Sequence, residues 1–172
     1  MYQDEVSLSN TATISYQWEL KGKQPKIKQK QRKRERRTIF GCVEPKTGKV
    51  IYQASEKGNT KTFFSFLIQA VKANSGNKVY MILDNVAYHH SRRIKKVLER
   101  YNHRLELIFL PPYSPDLNPI ERIWWFMRKK ISHNRYLQTI DERLESLHQF
   151  MSNFADENDQ GKTLSKICSE IN

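Results

Sequence analysis

Cysteine is scarce in this sequence, and its positions favour neither cross-links nor zinc. Only two cysteines occur among the 172 residues, Cys42 and Cys168, and neither belongs to a CxxC or Cys/His ligand spacing. A chain of this length can bury a core without disulfides or structural metals. The pattern therefore predicts free thiols in a reducing compartment and argues against a zinc site.

Long apolar runs are also missing. No uninterrupted apolar stretch approaches the ~20 residues that a membrane span requires, and residues 1–9 carry Asp4 and Glu5 where an export signal would be basic and then apolar. We therefore expect a cytoplasmic protein, associated with the nucleoid if the host is bacterial. The length predicts one domain over residues 1–155 and a flexible tail over residues 156–172.

Acidic residues are outnumbered, and the excess positive charge is concentrated. The chain has 30 Lys and Arg against 18 Asp and Glu, a formal charge of +12. Residues 21–37 alone hold ten basic residues and one acid. Neutralising phosphates releases counterions, so this pattern favours a polyanionic partner, although a solvated loop explains the run equally well on its own. The candidate phosphate contacts are Lys28, Lys30, Arg32, Lys33, Arg34, Arg36, Arg37, Arg92, Arg93, Arg128 and Lys129.

The alternation of side chains between the two faces of the first strand-like run, YQDEVSL, distinguishes two adjacent acids, Asp4 and Glu5. Tyr2, Val6 and Leu8 share parity with Asp4, whereas Glu5 has the opposite parity. Because side chains alternate faces along a strand, this pattern places Asp4 on the core side.

The rest of the chain predicts an α/β fold with a mixed sheet. After a basic insert at about 9–37, the runs TIFGCVE and KVIYQAS flank a turn-forming PKTG, which predicts a hairpin. Two capped helices then alternate with two strands, and the first of these strands, VYMIL, is apolar without alternation, as in a central strand covered on both faces. The helical spacings name these apolar positions: Phe63, Phe64, Leu67, Ile68 and Val71 in the first helix; Ile94, Val97, Leu98 and Tyr101 in the second; Ile120, Ile123, Trp124, Met127 and Ile131 in the third; Ile140, Leu144, Leu147, Met151 and Phe154 in the last.

Three carboxylates occupy prominent places in this arrangement. Asp4 lies in the first strand, Asp84 ends the VYMIL strand, and Glu121 lies in the first turn of the third helix. If the first strand pairs beside the VYMIL strand, Asp4 and Asp84 become neighbours and Glu121 reaches them from the helix. Each acid alone could have a purely structural role. Together, rigidly held carboxylates on a basic chain predict metal-assisted chemistry on nucleic acid.

Three segments together resemble the catalytic domain of the insertion-sequence 630 and Tc1/mariner group of DDE transposases. They are DE at residues 4–5, DNVAYH at 84–89 and LPPYSPDLNPIERIW at 110–124, with WELKGKQP at 18–25 as a looser match. The resemblance runs from Met1 to about Phe154. It implies a ribonuclease-H-like fold, a mixed five-stranded sheet with helices on both faces.

The resemblance also implies a reaction and its partners. By the resemblance, Asp4, Asp84 and Glu121 would be catalytic ligands of Mg²⁺ or Mn²⁺, with His89 in support. The chemistry of phosphodiester cleavage favours two ions. Asn85 and Asn118 are candidates to orient the metal ligands, with turn formation as the alternative for both. The implied activity is DNA strand cleavage and strand transfer on transposon ends and target DNA, by a homodimer assembled on that DNA. Group members usually begin with helix-turn-helix modules, and none precedes Asp4, so we expect a second reading frame joined by frameshifting, or a truncated remnant.

Two other functions stay open from the sequence. A different ribonuclease-H-like nuclease, such as a ribonuclease or a junction resolvase, would share the acids but not the proline-rich box before Glu121. A non-catalytic nucleic-acid-binding protein would use the basic insert alone. Metal dependence separates these functions. Packing explains Trp124 and Trp125 better than base stacking does, although Trp125 projects away from the apolar stripe and stays open as a contact to DNA.

Overall fold

A five-stranded sheet organises the protein. The computed structural model describes residues 1–16, 18–23, 26–27, 33–112 and 114–155. The strands are β1 (Tyr2–Ser9), β2 (Arg36–Val43), β3 (Val50–Ser55), β4 (Val79–Leu83) and β5 (Leu105–Phe109). The helices are α1 (Thr60–Ala73), α2 (Arg92–Arg100), α3 (Ile120–Met127) and α4 (Ile140–Ala155), with short 3₁₀ turns at Ala87–His90 and Pro115–Leu117 and a π-helical turn at Arg128–Ser132 after α3.

The strand order is β3-β2-β1-β4-β5, which confirms the predicted mixed sheet. Strands β1, β2 and β3 are antiparallel neighbours, whereas β1, β4 and β5 run parallel. Tyr2 of β1 is level with Ile82 of β4. Continuing this register by two residues brings Asp4 level with Asp84, so the predicted adjacency of the two strands is observed.

Two apolar clusters fill the two faces of the sheet. One cluster joins β1 and β2 to α3 and α4 and includes Val6, Leu8, Ile39 and Trp124. The other joins β2 to β5 with α1 and α2 and includes Phe40, Phe63, Met81 and Leu105. All five apolar positions predicted for the third helix are buried, namely Ile120, Ile123, Trp124, Met127 and Ile131.

Two packing predictions were wrong in part. The VYMIL strand, β4, was predicted to be covered on both faces, but Tyr80 is 49% exposed, because α3 and α4 pack over β1–β3. The same face of the sheet leaves Ile108 of the neighbouring β5 43% exposed. The sequence predicted Phe64 and Ile68 as core positions of α1, but the helix buries Phe66 and Ala70 instead. The helix is rotated slightly about its axis relative to the predicted face.

A buried arginine ties α4 to the rest of the fold. The Arg143 guanidinium donates to the Ser9 carbonyl at 3.2 Å and to the Arg135 carbonyl at 2.7 Å. Burial, and then the charge of Arg135, lowers the pKa of this guanidinium. The contacts hold α4 against the end of β1, where the basic insert begins.

Some predictions fall on residues outside the described ranges. These are the tail at 156–172, the side chain of Phe154, and the insert residues Lys28, Lys30 and Arg32. None of the helices in the described part of the chain has the length and apolar character needed to cross a membrane.

Candidate active site

The three predicted acids line one cleft, which we call the acidic cleft. Asp4 lies within β1, Asp84 directly follows β4, and Glu121 lies in the first turn of α3. The cleft has a volume of about 410 Å³. Its other lining residues are Asn85, Val86, Leu110, Pro111, Pro112, Ser114, Pro115 and Asn118. The structure thus brings together residues that are far apart in sequence, and their catalytic role stays a prediction.

Asp4 has the most perturbed environment of the three acids. Burial raises the pKa of its carboxyl to about 7, and the negative charge of Glu121 acts in the same direction, followed by smaller contributions from Glu5 and Asp84. A backbone hydrogen bond at Glu5 lowers the pKa, and its effect is larger than that of the Glu5 charge or of the Asp84 charge. Negative charge is therefore crowded at the acidic cleft, which is the environment that a bound cation relieves.

Trp124 fixes the orientation of the Asp4 carboxylate. Its indole Nε1 donates to Asp4 Oδ2 at 3.1 Å, and the ring is fully buried. The ring reaches Asp4 across Gly41, the β2 residue paired with Asp4. A Cβ at Gly41 would lie 2.6 Å from Trp124 Cζ2, well inside van der Waals contact. A glycine inside a strand marks such a close approach.

Replacing Gly41 by Ala is expected to destabilise the fold by about 1–3 kcal/mol, because an added methyl group must displace a packed indole. Urea denaturation followed by circular dichroism measures this change. Gly58→Ala is the matched control, since its Cβ would lie 3.3 Å from the Thr38 Cγ2 methyl at the surface. Equal stability of the two variants would show that the position of Trp124 does not depend on the absence of a side chain at Gly41.

Two asparagines brace the rim of the acidic cleft. Asn85 Nδ2 donates to the Leu110 carbonyl at 2.7 Å, which ties the end of β4 to the end of β5. Asn118 is buried, and its Nδ2 donates to the Gln3 carbonyl at 2.9 Å. Asn118 Oδ1 has no hydrogen-bond partner among the described residues. A buried acceptor left unpaired at a cleft fits a polar ligand or its water.

His89 connects Asp84 to the other face of β1. Its Nε2 lies 3.1 Å from Glu5 Oε1, and its Nδ1 lies 3.2 Å from the Asp84 carbonyl and 3.4 Å from Asp84 Oδ1. Phe63 and Tyr88 enclose the buried ring, with centroids at 4.2 and 4.6 Å. Burial, and then the charge of Glu5, raises the pKa of the Tyr88 hydroxyl.

Glu5, Asp84 and His89 also satisfy the distances of a metal-ligand group, with one potential ligand atom from each within 4.8 Å of the others. The two carboxylates face different nitrogens of the same ring, so the imidazole stands between them. A histidine offers one nitrogen to one ion, and we therefore interpret this group as a hydrogen-bonded support for Asp84. The sequence separated Glu5 from Asp4 correctly by face but did not reveal the contact between Glu5 and His89.

The predicted phosphate-binding residues are spread over several surfaces. Those that the structure describes are solvent-exposed apart from Arg37, which is partly buried, and they are Lys33, Arg34, Arg36, Arg37, Arg92, Arg93, Arg128 and Lys129. Arg93 lies 4.9 Å from the centroid of the Phe64 ring, and Lys129 lies 5.1 Å from the centroid of the Trp125 ring. None of the described residues in this set lines the acidic cleft. Their role in DNA binding stays a prediction.

Known proteins share this sequence pattern. The insertion element IS630 uncharacterized 39 kDa protein of Shigella sonnei is 28% identical over 152 residues, which are 87% of this chain and 43% of the relative. An uncharacterized protein of Sinorhizobium fredii is 31% identical over 105 residues, which are 60% of this chain and 74% of the relative.

Solved structures share the fold. The Mos1 transposase in its paired-end complex with the left transposon end matches with a TM-score of 0.68 and 18% identity, over 98% of this chain and 53% of that one. The catalytic domain of Mos1 mariner transposase matches with a TM-score of 0.58 and 17% identity, over 78% of this chain and 70% of that one. These matches confirm the predicted ribonuclease-H-like fold.

The chain spans about half the length of these first relatives, 43% of the IS630 protein and 53% of the Mos1 chain. A family model described as DDE superfamily endonuclease matches residues 1–143. The resemblance to the insertion-sequence 630 and Tc1/mariner group is thereby confirmed, and the chain belongs to the DDE superfamily endonucleases.

Proposed function

We propose that this chain is the catalytic domain of a transposase, with Asp4, Asp84 and Glu121 as its catalytic carboxylates. The observation that carries the proposal is their shared position in one cleft, reached from β1, the end of β4 and the start of α3. The proposed reaction is metal-dependent hydrolysis of a DNA phosphodiester bond, which releases a 3′-hydroxyl. This hydroxyl loses its proton and attacks a target phosphate, which forms a new phosphodiester bond and displaces the 3′-oxygen of the target strand. Residues 1–155 would form this domain.

The donor set fits Mg²⁺ or Mn²⁺. Three carboxylates and the unpaired Asn118 Oδ1 offer only hard oxygen atoms at the acidic cleft, as these ions prefer. Bound there, such ions supply a more acidic water and offset negative charge on the phosphate oxygens. Solved Mos1 paired-end complexes with Mn and with Mg show that a protein of this fold is found with either metal.

The surrounding residues set the positions of these ligands. Trp124 holds one Asp4 oxygen by hydrogen bonding, which leaves the other oxygen for a ligand. His89 is within hydrogen-bond distance of Glu5 through one ring nitrogen and of the Asp84 carbonyl through the other, and it thereby supports the position of Asp84. Because burial and Glu121 raise the pKa of Asp4 to about 7, this carboxyl must lose a proton before it acts as a ligand. Activity would therefore rise with pH through the neutral range.

The partners of this chain would be DNA and a recognition module. We propose that transposon ends and target DNA are its substrates and that it works as a homodimer assembled on paired ends. A helix-turn-helix module, encoded upstream or separately, would select those ends. A bacterial insertion element carries one relative, so the cytoplasm and its nucleoid are the proposed location.

A plasmid assay tests the function. The chain, alone and with an upstream helix-turn-helix module where the source DNA encodes one, is expected to nick supercoiled plasmid with Mg²⁺ or Mn²⁺, and EDTA is expected to stop it. DNA binding without cleavage under every metal condition would favour the non-catalytic binding protein. Cleavage confined to RNA–DNA hybrids or branched junctions would favour the other nucleases.

A further inference from the structure

Trp125 is an exposed aromatic side chain next to the acidic cleft. It is 58% exposed, although its neighbour Trp124 is fully buried. Trp125 follows Glu121 by one helical turn on the same side of α3, a rise of about 6 Å. Lys129 follows by another four residues, and its Nζ lies 5.1 Å from the Trp125 ring centroid. A carboxylate, an indole and a cation thus succeed one another along one line of the surface.

Trp125 also joins two grooves. The first, of about 420 Å³, continues from the acidic cleft and shares Pro115, Asn118 and Glu121 with it. The second, of about 560 Å³, is also lined by Trp125, together with Tyr16, Lys129 and Arg135 among others. We call the two together the aromatic groove. Because Trp125 lines both parts, the aromatic groove extends from Glu121, past Trp125, to the exposed cations Lys129 and Arg135.

The far wall of the aromatic groove is built by hydrogen bonds. Ser15 N donates to Asn134 Oδ1 and Asn134 Nδ2 donates to the Ser15 carbonyl, both at 2.9 Å. Asn134 N also donates to the Thr13 carbonyl at 2.9 Å. These bonds attach the start of the basic insert, next to Tyr16, to the segment after α3, and Tyr16 and Trp125 both line the groove.

We propose that Trp125 stacks on an unpaired base of the DNA strand whose phosphate enters the acidic cleft, and that Lys129 and Arg135 contact the neighbouring phosphate. Bases in a duplex expose their edges, whereas an unpaired base presents the flat face that an indole binds. The cations beyond the ring match the charge of the backbone. The choice of DNA as the ligand rests on the proposed function.

Binding to matched DNAs tests the inference. The full 172-residue chain is titrated without divalent metal into a fluorescent blunt duplex and into the same duplex with a short single-stranded extension, and anisotropy is measured. Trp125→Ala is expected to weaken binding of the extended duplex about tenfold and of the blunt duplex less than about twofold. Trp125→Phe is expected to restore most of the loss. Lys129→Ala is expected to weaken both and to lower the salt slope by about one.

Tyr80→Ala is the matched control. Lys78 Nζ lies 5.1 Å from the Tyr80 ring centroid, the same arrangement as in the Lys129–Trp125 pair, but on β4 outside the aromatic groove. This variant is expected to bind both DNAs as the wild type does. Equal affinities of the wild type for the two DNAs, or an equal loss on both in Trp125→Ala, would overturn stacking. If the protein binds the extended duplex more tightly than the blunt one but never cleaves DNA, the stacking proposal stands and only the proposed catalysis is refuted.

Discussion

Asp84→Asn is expected to lower Mg²⁺-dependent nicking by about a thousandfold or more. The substitution keeps the size of the side chain and removes the charge that a divalent cation needs, and loss of one preorganised electrostatic group already costs about 10²–10³ in rate. Asp84 lies level with Asp4 across the β1/β4 pair and lines the acidic cleft. Plasmid nicking at saturating Mg²⁺, in the assembly that shows wild-type activity, measures the change.

Asp141→Asn is the control for this loss. Asp141 is an exposed acid in the first turn of α4, and its replacement makes the same chemical change away from the cleft. Nicking by this variant is expected to match the wild type, and both variants are expected to keep the wild-type circular dichroism spectrum. Wild-type nicking by Asp84→Asn would remove this residue from the catalytic centre.

Asp4→Asn is expected to stabilise the metal-free protein at pH 8. Burial, with the charges of Glu121, Glu5 and Asp84, raises the Asp4 pKa from 3.8 to about 7, so the folded protein holds this proton more tightly than the unfolded chain. The contribution of Asp4 to stability is therefore greatest below about pH 4 and is lost as the pH rises through about 7. A shift of this size corresponds to about 4 kcal/mol at full ionisation as an upper limit.

Urea denaturation in EDTA measures this effect. Asp4→Asn is expected to exceed the wild type by about 2–4 kcal/mol at pH 8 and to approach it at pH 4, where the folded protein holds the Asp4 carboxyl protonated. Asp141→Asn is expected to change stability by no more than about 0.5 kcal/mol at either pH. A gain for Asp4→Asn that is the same at both pH values would mean that ionisation of Asp4 does not cause it. Mn²⁺ is expected to stabilise the wild type more than the variant.

Several features could be predicted because they depend on local periodicity. The alternation in β1 placed Asp4 on the face that α3 covers. The apolar stripe predicted for the third helix was correct at all five positions, of which Ile131 lies in the π-helical turn after α3. The predicted pairing of the first strand with the VYMIL strand is observed through Tyr2 and Ile82. These features needed only the period of a strand or a helix and the usual topology of an α/β sheet.

Other features depend on packing between segments that are distant in sequence, which the local periodicity of the sequence does not reveal. The contact of His89 with Glu5 requires the short 3₁₀ turn Ala87–His90 to fold back under β1. The hydrogen bond from Trp124 to Asp4 requires the space at Gly41. A glycine inside the TIFGCVE strand is a signal that could have indicated this close approach. The open face at Tyr80 depends on how far α3 and α4 extend over the sheet.

The most direct test of a shared metal centre is a crystal structure of the protein with Mn²⁺, in which anomalous scattering locates the metal. We expect anomalous density at the acidic cleft, in contact with carboxylate oxygens of Asp4, Asp84 and Glu121. Density at Glu5 and His89 only, or none at the three acids under saturating Mn²⁺, would contradict it.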